Sequence, residues 1–328
     1  MSQITYIDAI TSALDDALGA DDKVFLYGQD IGSFGGAFKA TKGLSGKYPG
    51  RVLDCPIAED AMAGMALGAA LEGMRPVIEM QFADFSSLAL NQIINNCATH
   101  FYRTGIPAPV TFRLPSGGTP GSGPFHSQNM EALYAHYPGL IVLAPGTVAD
   151  AYTLLREAIA LDDPVVYCEH KFLYRSLKDE RASDGTIGVD DRLPWHRARI
   201  ARPGKHATVV TYSAMLHESL KAADQMADDG WQIEVVDLRC LKPLDHDTIL
   251  ASLARTGRIL AVTETFPYGG VAAEVLAVAA SRGFELLDAP PQRLTSRDTP
   301  IPYHPDLWRA HRPTALTIAG ALRHLLTF

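Results

Sequence analysis

The stretch RVLDCPIAEDAMAGMALGAALEGMRPVIEMQFADF, residues 51–85, carries the fold in miniature. Residues 51–54 and 76–82 read as short buried strands. Between them, residues 60–72 are of helical length and built mostly from Ala, Gly, Met and Leu. Strand, helix, strand at this spacing is a βαβ unit, in which two parallel strands need a crossover to join them. The many small residues of 61–71 predict a buried helix that lets other backbone approach closely. The same alternation extends on both sides. Ile4, Ile7, Ile10, Leu14 and Leu18 recur at three- and four-residue steps, a helical stripe. Strands are expected at 23–27, 109–114, 140–144 and 164–168, and helices at 86–103, 129–136 and 148–161.

Periodicity fades between about residues 175 and 205, where Asp, Gly, Pro and Arg accumulate. This predicts a first domain over residues 1–185, a connection over 186–205 and a second domain over 206–328. The second domain repeats the alternation at 208–212, 216–227, 233–238, 248–255, 258–263 and 271–280, with a final helix from 314. The expected fold class is α/β, with two domains, each a mostly parallel sheet covered by helices.

Composition narrows the functional classes. The 328 residues are 47% hydrophobic and 20% charged, ordinary values for a globular protein. A net charge of −8 argues against nucleic acid or an anionic membrane as the main partner. Cys55, Cys97, Cys168 and Cys240 form no C-x-x-C pair, which disfavours a zinc or disulfide framework and fits a reducing compartment. No apolar run is long enough to span a bilayer, and no targeting segment precedes the first helix. A cytoplasmic location is expected.

Three segments place reactive groups at or near strand ends, where open α/β sheets bind ligands. They are Asp54-Cys55-Pro56-Ile57-Ala58-Glu59, Glu79-Met80-Gln81-Phe82-Ala83-Asp84-Phe85 and Gly123-Pro124-Phe125-His126-Ser127-Gln128. Singly, each has a plain explanation. Glu59 opens a helix, where an acid complements the dipole. Gln81 and Phe85 suit an edge hydrogen bond and core packing, and His126 follows a glycine-rich loop. Their joint order is far more specific than any one of them.

With these segments the chain resembles the β subunit of the thiamine-diphosphate-dependent decarboxylase component of 2-oxo acid dehydrogenase complexes. That group is similar to the pyrimidine-binding and C-terminal domains of transketolase. The resemblance runs nearly end to end. It includes Tyr27-Gly28-Gln29-Asp30-Ile31-Gly32, His136-Tyr137-Pro138-Gly139-Leu140, Glu169-His170-Lys171, Pro243-Leu244-Asp245, Gly269-Gly270 and Asp298-Thr299-Pro300-Ile301-Pro302-Tyr303. Gln29 stands where a Glu is common, and Cys55 where a Thr is common.

The resemblance implies roles. Glu59 matches the glutamate that hydrogen-bonds the cofactor's aminopyrimidine ring and so promotes loss of the thiazolium proton. Phe85 matches the aromatic beside that ring, and Ile57 and Gln81 match neighbouring pocket positions. His126 matches a histidine near the substrate and the incoming lipoyl group, with the glycines of loop 116–123 letting a lipoyl arm pass close to backbone. The Gly-Asp-Gly motif that usually holds magnesium and diphosphate is absent from this sequence. By resemblance, a separate α subunit supplies that half, in an α2β2 heterotetramer. Some members bind a monovalent cation such as potassium through backbone oxygens at positions matching Ala158, Leu161 and Asp163.

The implied activity is oxidative decarboxylation of pyruvate or a branched-chain 2-oxo acid, with the acyl group passed to a lipoyl-bearing acyltransferase. An acetoin dehydrogenase β subunit is the near alternative, and a non-catalytic scaffold subunit the distant one. A nicotinamide dehydrogenase fails, because no Gly-x-Gly-x-x-Gly turn follows an early strand with an acid downstream.

Overall fold

The computed structural model describes residues 3–180, 187 and 193–328. Its strands in the first half are β1 (Gln3–Thr5), β2 (Val24–Gly28), β3 (Val52–Asp54), β4 (Arg75–Glu79), β5 (Thr111–Ser116), β6 (Ile141–Leu143), β7 (Val165–His170) and β8 (Lys178–Glu180). In the second half they are β9 (Arg199–Arg202), β10 (Ala207–Thr211), β11 (Ile233–Asp237), β12 (Cys240–Lys242), β13 (Ile259–Val262) and β14 (Gln292–Leu294).

One sheet runs in the order β12-β6-β7-β5-β4-β2-β3, and a second in the order β14-β13-β10-β11-β9. Every pairing in the first is parallel except β12 with β6. In the second, only β9 with β11 is antiparallel. The chain is thus a two-domain α/β protein of mostly parallel sheets. β5 and β7 are buried at every position, as strands covered on both faces must be.

Local chemistry explains the helices. Thr5 and Asp8 form a reciprocal capping box that starts helix Tyr6–Ala20. Ile7, Ile10, Leu14 and Leu18 then face the core, and the helix packs on helix Val148–Ala160. The continuous helix expected at 86–103 does not form. A 3₁₀ segment (Ala83–Ala89) leads through a π-turn (Gln92–Cys97) into helix Ala98–Thr104. At its start, the hydroxyls of Ser86 and Ser87 bond the carbonyls of Ala83 and Asp84, competing with regular helical pairing.

Helix Glu59–Leu71 differs from its expectation too. Met62, Ala63, Ala66 and Ala70 are buried, but Met65 is 61% exposed and Leu71 39% exposed, so an apolar face stays open.

The halves interlock more than a simple connection implies. Residues 199–202, inside the expected connection, form edge strand β9 of the second sheet. Residues 181–186 and 188–192 lie outside the described residues. β12 crosses back to extend the first sheet, pairing Cys240 with Leu143. Around it, Arg239 Nε donates to Asp150 Oδ1 at 2.9 Å, and Lys242 Nζ donates to the carbonyls of Ala135 and Tyr137 at 2.7 Å each. β9 and β12 are short, with cationic side chains, and carry no alternation to read. Among the described residues, no helix is long and apolar enough to cross a membrane.

Candidate active site

β2 lies between β3 on one side and β4 on the other, so the strand order reverses there. Such a switch point leaves a crevice outside the carboxyl ends of the strands. Asp54, Gly28 and Glu79 are in register across β3, β2 and β4, so the residues that follow them emerge along one edge. Glu59 follows β3, Gln29 follows β2, and the segment from Gln81 to Phe85 follows β4.

Glu59 opens helix Glu59–Leu71 behind Ala58, which supplies no side-chain cap. It is only 6% exposed, and Gln29 Nε2 donates to its Oε1 at 3.3 Å. Gln29 is equally buried at 5%. Ile57, on the approach to the helix, is 80% exposed.

On the other flank Phe85 and His126 meet, and Phe82 completes the group. The His126 ring lies edge-on to Phe82 at 4.5 Å and to Phe85 at 5.6 Å between centroids. Phe38 extends the cluster, 5.4 Å from Phe82. Gln81, directly after β4, is half-buried. Asp84 anchors the chain beyond His126: its Oδ1 accepts from the backbone N–H of Ser127 at 3.2 Å and of Gln128 at 3.1 Å. Burial raises the Asp84 pKa, against the pull of the Gln128 N–H and of Lys171. Lys171 lies over the Phe82 ring, and burial pushes its ammonium down to about 8, opposed by Asp84, Glu264 and Glu131.

Beneath the crevice a charged network crosses the strands. Arg113 on β5 donates to Glu79 on β4 and to Glu169 on β7, each at 2.5 Å through an Nη, with a second bond from Nε to Glu169 at 3.2 Å. Tyr174 Oη adds a bond to Glu169 at 2.8 Å. Burial works against the Arg113 charge, but Glu169 and Glu79 outweigh it and hold the guanidinium protonated. Glu79 is itself raised by burial, with Arg113 opposing.

The sequence reading did not single out Phe82, Asp84, Glu79 or Arg113. The signal was there for Arg113, a lone cation inside the apolar run 109–114.

The residues fit the pyrimidine end of thiamine diphosphate. Glu59 offers a buried carboxylate at the crevice, with no hydrogen bond to Oε2 among the described residues, and Ile57, Phe82 and Phe85 offer apolar surface. Among the described residues, no group of three or more His, Cys, Asp or Glu could hold a metal ion. The three positions matched to a monovalent cation lie at the end of helix Val148–Ala160. There the Ala158 carbonyl accepts from Thr111 Oγ1 at 3.2 Å. The Leu161 carbonyl accepts from Arg75 Nη1 at 3.0 Å. Arg75 also reaches the carbonyls of Ile159 and Ala160 and the Asp162 carboxylate. A guanidinium thus already supplies positive charge to this helix end.

Comparison with known proteins agrees with this geometry. The transketolase pyrimidine-binding domain family matches residues 2–176, and the transketolase C-terminal domain family matches 196–318. The chain is 40% identical over 332 residues to 2-oxoisovalerate dehydrogenase subunit beta of Bacillus subtilis, covering all of both chains. The chain belongs to the 2-oxo acid dehydrogenase β-subunit family. It is also 42% identical over 322 residues to a mitochondrial pyruvate dehydrogenase E1 component subunit beta of Arabidopsis thaliana, covering 97% of this chain and 88% of that one. Among solved structures, an inactive β4 tetramer of a split-gene transketolase shares the fold, with a TM-score of 0.80 at 22% identity over 99% of this chain and 98% of that one. Within the 2-oxo acid dehydrogenase β-subunit family, this member carries Gln29 as the hydrogen-bond partner of Glu59.

Proposed function

We propose that this chain is the β subunit of a thiamine-diphosphate-dependent 2-oxo acid dehydrogenase, active with an α subunit in an α2β2 assembly. It decarboxylates pyruvate or a branched-chain 2-oxo acid, and the acyl group passes to the lipoyl group of an acyltransferase. The reading rests above all on Glu59, a buried carboxylate held by one amide at the switch point of the first sheet.

Thiamine diphosphate, when bound, would supply the nucleophilic and electron-accepting chemistry that decarboxylation of a 2-oxo acid needs. The protein's part is positioning and proton handling. Glu59 would hold the aminopyrimidine ring and exchange a proton with it, while Gln29 Nε2 donates to its Oε1. Ile57, Gln81 and Phe85 line the ring's pocket. His126, braced by Phe82 and Phe85, donates a proton where the lipoyl disulfide opens.

The α subunit holds magnesium and the diphosphate. The open apolar residues beside the crevice, Ile57 at 80%, Met65 at 61% and Leu88 at 60% exposure, support a partner there. A monovalent cation such as potassium at Ala158, Leu161 and Asp163 rests on the resemblance alone; the Ala158 and Leu161 carbonyls accept from Thr111 and Arg75 and each keep a second lone pair. The location is cytoplasmic, a reading supported by four free cysteines.

The test is turnover by the chain co-expressed with its α subunit, across pyruvate, branched-chain 2-oxo acids and acetoin. Release of CO₂ from a 2-oxo acid is expected, and activity confined to acetoin would replace the reading with acetoin cleavage. Glu59→Gln in the same assembly should keep the cofactor bound and lose about 10²–10⁴ in rate. Near-normal turnover by that variant would remove Glu59 from the mechanism.

A further inference from the structure

Loop 116–128 carries His126, and part of what holds it comes from the other domain. The loop is closed on itself by a bond from the Gly117 N–H to the Gln128 carbonyl at 3.2 Å. Three of its glycines mark places where other groups press against it. A Cβ on Gly117 would lie 2.0 Å from His170 Nε2. One on Gly118 would lie 2.4 Å from Trp308 Nε1, and one on Gly123 would lie 2.1 Å from the Tyr303 ring. Real side chains do not approach so closely, so these positions admit glycine alone while their neighbours stay in place.

Those neighbours are themselves fixed. Trp308 is 5% exposed, with the Arg312 guanidinium 4.5 Å from its ring and Phe172 at 5.8 Å. The Tyr303 carbonyl accepts from the Gly121 N–H at 3.1 Å. Glu264, at the end of β13, accepts from the Gly118 N–H and lies 2.8 Å from His170 Nε2. His170 Nδ1 accepts from the Phe172 N–H, so Nε2 carries the proton and donates it to Glu264. Gly118 and Gly123 make room for the protein's own second domain, and Gly117 for His170 of the first.

We propose that Trp308, Tyr303 and Glu264 of the second domain are positioning residues for His126, holding loop 116–128 in the one register that sets the imidazole against Phe82 and Phe85. This assigns a task to the Asp298–Tyr303 motif and the helix Pro305–His311 after it, neither of which reaches the crevice through a catalytic group. Asp84 pins the far end of the same loop from the first domain. The second domain thereby acts on the acyl-transfer step, and the proposal rests on the role given above to His126.

Gly118→Ala is the sharpest probe, because Gly118 has an ordinary φ and the three atoms nearest the added methyl all belong to Trp308. In the assembled enzyme it should lower kcat for lipoyl acylation about 10- to 100-fold, as expected of a displacement near 1 Å. Decarboxylation read with an artificial electron acceptor should stay within about 3-fold. Trp308→Phe removes the indole nitrogen nearest the new methyl, so the double variant should recover lipoyl acylation to within about 3-fold of wild type.

Hydrogen exchange gives a readout independent of activity. Trp308→Ala should speed exchange across 117–128 while leaving β5 and β7 protected. Unchanged acylation and exchange in Gly118→Ala, or a loss that Trp308→Phe does not relieve, would overturn the proposal. If the wild-type assembly turns over no 2-oxo acid, the functional reading fails, and exchange in the loop still decides the clamp.

Discussion

The two flanks of the crevice are finished to different degrees. At β5 and β7, Arg113 and His170 are each 2% exposed and Glu169 is fully buried, with every charge matched inside the chain. At β3 and the helix after it, Glu59 is buried but Ile57, Met65 and Leu88 face outward. One flank is roofed by the second domain; the other waits for a roof. A site built this way holds one flank through contacts within the chain and leaves apolar side chains exposed on the other.

The closed flank should break first and hardest. Arg113→Met leaves two carboxylates buried without a cation, and about 3–5 kcal/mol of stability should go with it. Urea unfolding measures that loss, and adding Glu79→Gln and Glu169→Gln should restore much of it, since neutral amides need no counter-charge. An Arg113→Met chain of wild-type stability would mean that this flank is not held by its ion network.

The open flank should respond in the opposite way. Ile57→Asp should alter the chain's own stability by less than about 0.5 kcal/mol, because the side chain is exposed. Association with the α subunit should weaken by about 2 kcal/mol, roughly 30-fold, for the lost apolar burial. Urea unfolding of the chain reads the first quantity and sedimentation of the co-expressed pair the second, and undiminished assembly would show that this face meets nothing.

The smallest effect concerns pH. Lys171 is held near 8 by burial, below the ordinary lysine value of about 10.4. Between those values the unfolded chain binds more protons than the folded one, so this group's contribution to stability rises with pH across the window. From pH 8 to 9.5 the gain is on the order of 1 kcal/mol. Lys171→Met should flatten that slope in paired thermal melts, and identical slopes would place the ammonium in a wetter setting.

Much of this was legible without coordinates. The strand–helix alternation named the α/β class, and the ordered segments around Glu59, Phe85 and His126 named the family. What escaped was whatever lacked a period. β9 and β12 are too short to alternate, and helix Glu59–Leu71 is apolar on nearly every side, so composition pointed to burial where one face is open. Phe82 and Asp84 lie between the residues singled out, and nothing local distinguishes a ring braced on His126 from one in the core.

Sequence by itself determined the strand–helix alternation and the family, because periodicity and the order of residue types are local properties. Only tertiary structure decided that Gly118 and Gly123 yield space to Trp308 and Tyr303, and that Arg75 occupies the end of helix Val148–Ala160. Those contacts join residues far apart in the chain, and excluded volume between distant segments leaves no trace in the spacing of neighbours.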